Sequence, residues 1–213
     1  MTGKNLALMI IGLVGGFWLR GVWIKNEEGI RVIGVIDGDT IVTENKVRIR
    51  LRYVDAPEIE FCGGKEAKEL LDGLVLNKKV RVEDQIIDQR GRPMALIYQG
   101  DKLVNKVILQ EGWAKYHSDT TDLTEEIKLA ANEARDKKIG IFSEKCSQTE
   151  NKIDPKCNIK GNIDPNNNAV RIYQMKGCVQ YLTTTVDLYR GEQWFCTESE
   201  AKKAGFVKSK RCD

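Results

Sequence analysis

The sequence of 213 residues contains one histidine and no two cysteines at the C-x-x-C spacing. The lone His117 is better explained as a solvated loop residue than as a ligand or a base, so we leave it outside the site. Without closely paired cysteines, a tetrahedral zinc site is only weakly indicated. The chain also carries little net charge, because 34 lysines and arginines nearly balance 31 aspartates and glutamates. The excess of +3 lies after residue 156, so the preceding part of the chain is close to neutral.

Three short motifs contain the carboxylates and arginines that a metal-assisted phosphodiesterase needs. They are Asp37-Gly38-Asp39-Thr40, Arg50-Leu51-Arg52-Tyr53-Val54-Asp55-Ala56-Pro57-Glu58 and Arg90-Gly91-Arg92. A phosphodiester is an anion, so cleaving it requires positive charge beside the phosphate, a cation to polarise it and a base to activate water. Asp39 and Asp55 are hard oxygen donors of the kind that Ca²⁺ prefers. Glu58 can act as the general base, and Arg50 and Arg92 can each give a phosphate two parallel hydrogen bonds.

The order DGDT, R-x₄-D-A-P-E and then G-R before an apolar strand resembles the thermonuclease (staphylococcal-nuclease-like) family, over roughly residues 31 to 145. The resemblance implies that Asp39 and Asp55 bind Ca²⁺ together with the backbone carbonyl at Ala56. It also implies that Arg50 and Arg92 contact the scissile phosphate and that Glu58 activates the water. The implied activity is cleavage of DNA and RNA with little sequence preference, which leaves 3′-phosphate ends.

Four departures from the family pattern limit what can be carried over. Ala56 stands where threonine is common, and the loop from Ile59 to Gly63 is shorter than the lysine-bearing loop of well-known members. Gln89 and Arg90 stand where those members have lysine and tyrosine, and Ser118 occupies the approximate position of a tyrosine that stacks on the substrate. Nucleotide preference is therefore not carried over. The alternative function is a catalytically inactive OB-fold module that binds nucleic acid or a protein at the cell surface.

Local patterning predicts an α+β domain over residues 30–146, an OB-type five-stranded barrel with three helices. Strands are expected at 31–36, 40–43, 47–53, 79–87 and 93–98, and helices at 65–76, at 103–111 and from Asp122 to just before Gly140. Asp122 is expected to cap the third helix, with Glu125 completing the capping box. Arg48 and Arg52 alternate with apolar residues and are expected on a solvated strand face.

The first 25 residues predict a signal or membrane anchor. An apolar run from Leu6 to Leu19 follows Lys4, as in a secretory signal. Extension to Ile24 reaches the length of a membrane span, and no A-x-A cleavage site follows, which slightly favours an uncleaved anchor. A buried soluble helix is the alternative. We therefore expect an exported protein, either membrane-anchored through this segment or secreted, with no protein partner evident.

Six cysteines favour an oxidising compartment. Disulfides are preferred over zinc or free buried thiols, and three pairings of the last four cysteines are possible. We favour Cys157 with Cys196 and Cys178 with Cys212, which leaves Cys62 with Cys146.

A polar linker at 147–156 is expected to precede a small cysteine-rich domain at 157–213. Its stretch from Phe195 to Cys212 modestly resembles small cysteine modules attached to bacterial DNA-repair proteins and some exported nucleases. Thr197 and Glu200 form a capping box that opens a short helix, which Gly205 ends. Five basic residues near the end could hold a nucleic-acid backbone, and ordinary solubility explains them equally well: Lys202, Lys203, Lys208, Lys210 and Arg211.

Overall fold

The fold is described here from a computed structural model covering residues 29–164, 167 and 169–212. The predicted N-terminal signal or anchor lies outside these residues. Within them, no helix combines the length and the apolar character that crossing a membrane requires.

The strands of the first part of the chain are short and mostly antiparallel. They are β1 Ile30–Val35, β2 Thr40–Thr43, β3 Arg48–Leu51, β4 Val54–Asp55, β5 Lys79–Ile87, β6 Pro93–Gln99, β7 Lys102–Leu103 and β8 Lys115–Tyr116. The sheet order is β3-β2-β1-β5-β6-β7, and a parallel pairing of β3 with β6 joins Arg50 to Met94 and Leu51 to Ala95. This pairing closes five strands into a ring, which confirms the OB-type barrel.

Three helices pack on the barrel, as expected. They are α1 Gly64–Val75, α2 Val104–Gln110 and α3 Thr124–Asp136. Alternating β-branched residues fill the interior of the barrel, because Val32, Ile41 and Ile49 are almost fully buried on successive strands. Asn105 of α2 is fully buried and donates to the carbonyls of Arg52 and Ala95, which secures the end of β3 against β6.

Two local expectations are wrong. The third strand ends at Leu51 rather than residue 53, because Tyr53 turns the chain with a left-handed φ of 67°. Arg52 is then 5% exposed and paired with Asp119 instead of solvated, whereas Arg48 is exposed as expected.

The predicted cap of the third helix is also wrong. α3 begins at Thr124 after Leu123, which makes no side-chain cap, so neither Asp122 nor Glu125 forms a capping box. Threonine hydroxyls organise this turn instead. The Thr121 amide donates to Thr124 Oγ1 at 2.9 Å, and the Leu123 amide donates to Thr121 Oγ1 at 3.1 Å.

The remaining elements form a four-stranded sheet, a separate pair of strands (β9 with β12) and one helix. They are β9 Ser147–Gln148, β10 Ile159–Ile163, β11 Arg171–Gln174, β12 Val186–Asp187, β13 Gln193–Phe195, α4 Glu198–Lys203 and β14 Val207–Lys208. The sheet order is β13-β10-β11-β14, and Tyr173, Phe195 and Phe206 form its core. The predicted capping box of Thr197 and Glu200 opens α4.

All three favoured disulfides are present: Cys62–Cys146, Cys157–Cys196 and Cys178–Cys212. No cysteine is free, so neither zinc nor free thiols account for them. The part of the expected linker at Ser147–Gln148 is a strand, β9, because it pairs with β12. The proposed domain boundaries remain predictions.

Candidate active site

Asp39 lies in the turn between β1 and β2 and is 2% exposed. Its Oδ1 accepts hydrogen bonds from Thr40 Oγ1 at 2.8 Å and Arg50 Nη1 at 2.6 Å, and its Oδ2 accepts one from the Ala56 amide at 3.1 Å. Gly38 permits this turn, because a Cβ there would lie 2.4 Å from Cβ of Ala67 on α1. Burial raises the pKa of Asp39 to about 7, although the neighbouring Arg50 charge opposes that shift.

Asp55, on β4, lies beside the same guanidinium. Arg50 Nη2 is 3.1 Å from Asp55 Oδ1, so Arg50 bridges Asp39 and Asp55. Lys115 of β8 approaches the other Asp55 oxygen at 3.1 Å, because β4 and β8 pair at these two residues. The two carboxylates therefore lie on the two terminal nitrogens of the same guanidinium.

Glu58 follows β4 on an exposed turn that the start of α1 fixes. The Phe61 amide donates to the Glu58 carbonyl at 2.9 Å, and Gly64 allows the helix to begin against it. A Cβ on Gly64 would lie 2.0 Å from that carbonyl oxygen, so a larger residue there would displace the turn. The backbone of Glu58 is therefore held while its carboxylate remains accessible.

Arg92 belongs to a tight turn that Asp88 organises. Asp88 Oδ1 accepts the Arg92 and Arg90 amides at 2.8 and 2.9 Å, and Asp88 Oδ2 accepts Arg92 Nε at 2.7 Å. These hydrogen bonds, led by the Arg92 amide, lower the pKa of Asp88. The Arg92 side chain is 46% exposed, so it is positioned without being buried.

All six predicted site residues line one cleft of about 1060 Å³: Asp39, Arg50, Asp55, Ala56, Glu58 and Arg92. Among the other lining residues, the sequence reasoning missed Lys115, Asp119, Tyr189 and Arg190. Lys115 follows the buried Ala114, an alternation that indicates a strand, whereas no pattern connects the C-terminal residues with the cleft. His117, which we left outside the site, also lines it.

Trp113 and Tyr116, two aromatic residues that follow Gly112, do not line the cleft. Tyr116 stacks on Tyr53 with ring centroids 5.8 Å apart, and Trp113 packs with Ile141 and Cys62, so both aromatic side chains complete core edges. The five basic residues near the end of the chain do not line the cleft.

The donors in the cleft fit a hard divalent cation. Asp39 and Asp55 supply carboxylate oxygens, and such an ion accepts backbone carbonyls and waters for its remaining positions. A bound cation would add to the charge compensation that Arg50 already gives Asp39. The one group of three potential ligands in the described ranges, Asp154, Cys157 and Cys196, is unsuitable, because both sulfurs belong to a disulfide.

Residues 48–144 match the family model described as staphylococcal nuclease homologue. The chain is 31% identical over 151 residues to a protein named thermonuclease from Staphylococcus hyicus. This alignment covers 65% of this chain and 89% of that protein. The chain belongs to the staphylococcal nuclease family. A protein named ParB from Escherichia coli is 30% identical over 154 residues (65% of this chain, 81% of that protein), and a micrococcal nuclease from Shigella flexneri is 30% identical over 132 (55% and 75%).

Membership of the staphylococcal nuclease family makes this chain a nuclease, a hydrolase that acts on the ester bonds of nucleic acids. The matched region contains Arg50, Asp55, Glu58 and Arg92, whereas Asp39 precedes it. It ends before the second sheet, so the family match concerns the barrel and its helices.

Proposed function

We propose that this nuclease is a Ca²⁺-dependent endonuclease that hydrolyses phosphodiester bonds in DNA and RNA with little sequence preference and leaves 3′-phosphate ends. The observation that carries the proposal is the convergence of two aspartates, a glutamate and two arginines on one cleft. Each of these groups has a separate task in phosphodiester hydrolysis. A binding module would have no need of Glu58.

Asp39 and Asp55 would hold the ion, with the backbone carbonyl of Ala56 as a further ligand. When bound, Ca²⁺ supplies positive charge that polarises the phosphate. Asp39 is prepared for this by its buried position and by hydrogen bonds from Thr40 and Ala56, which fix its two oxygens. Asp55 is more exposed and leaves room for a substrate beside the ion.

Glu58 would remove the proton from the attacking water. Its exposed carboxylate extends from a fixed turn into the cleft, which suits a group that must reach a water molecule near the phosphate. Arg50 and Arg92 would neutralise the charge that develops on the phosphate oxygens. Arg50 is already fixed between the two aspartates, so its charge is in position before substrate binds.

We propose also that the protein is exported, either anchored in a membrane by its N-terminal segment or secreted. Three disulfides support this location, because disulfides persist in oxidising compartments and are rare in the reducing cytosol.

The test is cleavage of single-stranded DNA and RNA by residues 26–213, with Ca²⁺ or with a chelator. Wild-type protein should cut both substrates only with Ca²⁺, and Glu58→Ala should lower the rate by ~10² or more, as expected for a positioned general base. The matched control is Glu60→Ala, because Glu60 is an exposed glutamate two residues away that does not line the cleft. Binding without cleavage would identify a binding module and refute the proposal.

A further inference from the structure

One part of the cleft wall comes from the C-terminal module, which we define as residues 157–212. Tyr189 and Arg190 line the same cleft as Asp39, Asp55 and Glu58. They belong to a short 3₁₀ helix, Leu188–Arg190, that follows β12. The cleft of this nuclease is therefore built by two parts of the chain, of which only the first matches the family.

The module is attached firmly beside the catalytic residues. The Leu188 amide donates to the Cys146 carbonyl at 2.8 Å, next to the pairing of β12 with β9. Tyr189 is largely buried and meets Phe142 edge to face, with ring centroids 6.3 Å apart. Gly191 adopts a φ of +80° and lies so close to Phe61 that a Cβ would approach the ring to 2.7 Å. Because Phe61 belongs to the turn that holds Glu58, the catalytic turn and the module support each other.

Arg190 is held in a defined orientation by Glu192. Arg190 Nη1 lies 3.1 Å from Glu192 Oε1, and the Arg190 side chain is 16% exposed. Glu192 is itself buried, and it accepts the Ile163 amide at 3.0 Å and the Asp187 amide at 2.8 Å. A guanidinium that is anchored along one edge loses little conformational entropy when its other edge binds a ligand.

The charge balance of the cleft includes the guanidinium of Arg190. Its wall contains six carboxylates and five cationic side chains: Asp37, Asp39, Asp55, Glu58, Asp88 and Asp119 against Arg50, Arg90, Arg92, Lys115 and Arg190. With His117 neutral, the formal charge is −1, and a bound divalent cation would make it +1. Arg190 thus supplies one of the five positive charges of the wall, although Glu192 behind it offsets part of that charge.

We propose that Arg190 is a substrate-binding residue that contacts a phosphate next to the scissile one, so that the C-terminal module forms part of the nucleic-acid site. This inference rests on the proposed nuclease function. At about 1060 Å³ the cleft lies at the upper limit of the roughly 300–1,000 Å³ usual for a small-molecule site, which agrees with a substrate larger than one nucleotide.

The test compares Arg190→Gln and Arg190→Lys with Arg211→Gln in the otherwise intact protein. Arg211 is an exposed arginine of the same module that does not line the cleft, so its replacement removes the same charge elsewhere. For Arg190→Gln we expect KM for single-stranded DNA to rise about tenfold with kcat nearly unchanged, as for a lost charge-assisted hydrogen bond. Arg190→Lys should recover most of the loss, and Arg211→Gln should resemble wild type.

The salt dependence of binding separates a substrate contact from a structural ion pair. Loss of one phosphate contact should reduce the slope of log K against log salt by about 0.7 for a single strand. A lower melting temperature with unchanged KM and unchanged slope would make Arg190 merely a structural partner of Glu192 and would overturn the inference. If the wild type binds DNA without cutting it, the proposed function fails, yet the slope still decides whether Arg190 contacts phosphate.

Discussion

The buried ion pair between Arg52 and Asp119 should be among the larger single contributions to the stability of the barrel. Arg52 Nε and Nη2 each lie 2.6 Å from one Asp119 oxygen, which is a bidentate pairing. Arg52 also donates to the carbonyls of Asp84 at 2.8 Å and Thr120 at 3.0 Å. The pair therefore links the end of β3 to β5 and to the loop that follows β8. Asp119→Asn keeps the shape of the side chain but leaves the guanidinium without its counter-charge.

The expected loss of unfolding free energy in Asp119→Asn follows from the burial of the ion pair. Removing one partner of a fully buried pair costs about 3–5 kcal/mol, because the remaining charge is uncompensated. The Asp119 side chain is 16% exposed, so water can partly replace it and we expect the lower end, ~3 kcal/mol. For a chain of this length that corresponds to a melting temperature lower by about 6–12 °C. The matched control is Glu83→Gln, which breaks the exposed Arg81–Glu83 pair and should cost less than ~1 kcal/mol.

Thermal unfolding at several pH values is the assay. Burial opposes ionisation of Asp119, but the hydrogen bonds from Arg52 and the Thr120 amide outweigh it, so its pKa is lowered in the folded state. A lowered pKa contributes stability that is complete above the unfolded value, about 3.9, and is lost as the pH falls through the folded value. The difference between wild type and Asp119→Asn should therefore be full at pH 7 and shrink below about pH 4. Equal losses for Asp119→Asn and Glu83→Gln at pH 7 would refute this reasoning.

Two further predictions concern the site and its attachment. Because the pKa of Asp39 is about 7, this carboxyl must release a proton when a cation binds. The Ca²⁺ affinity measured by calorimetry should therefore fall about tenfold per pH unit below pH 7. A Ca²⁺ affinity that does not change between pH 5.5 and 7 would contradict this prediction. Replacing Cys62 and Cys146 by serine should cost ~4–5 kcal/mol of unfolding free energy, because the bridge closes a loop of 84 residues. The replacement of Cys62 and Cys146 should also lower kcat/KM more than the same change at Cys178 and Cys212. Equal effects of the two replacements on kcat/KM would show that the turn at Glu58 does not depend on the Cys62–Cys146 bridge.

Sequence alone predicted the parts of the fold that local rules control. Alternating apolar residues predicted the strands of the barrel. The order of carboxylates and arginines, through the family resemblance, predicted that Asp39, Asp55 and Glu58 belong to one site, and the structure places all three on one cleft. The failures arose where a distant residue decides the local state. Arg52 looked solvated by alternation, but Asp119, 67 positions later, makes its burial possible. Asp122 looked like a cap, but the hydroxyls of Thr121 and Thr124 already organise that turn.

The contribution of Arg190 could not be predicted for a related reason. Its place in the cleft depends on the pairing of β12 with β9 and on the fit of Gly191 against Phe61, and both are contacts between segments far apart in the chain. The cysteine pairing also had little basis in the sequence, because the even count favours full pairing without choosing among the fifteen arrangements that six cysteines allow.

The wall of the cleft is built from segments of the chain that are synthesised at different times. Asp39, Asp55 and Glu58 lie early in the chain, whereas Arg190 lies near its end. Synthesis proceeds from the N-terminus and domains generally fold as units, so the barrel can fold while the C-terminal module is still being made. During that interval the cleft has its acidic residues but lacks one of its five cations. Arg190 would thus join the cleft only after the module has folded against Phe61, so the substrate-binding surface is completed by a segment that is synthesised after the catalytic residues.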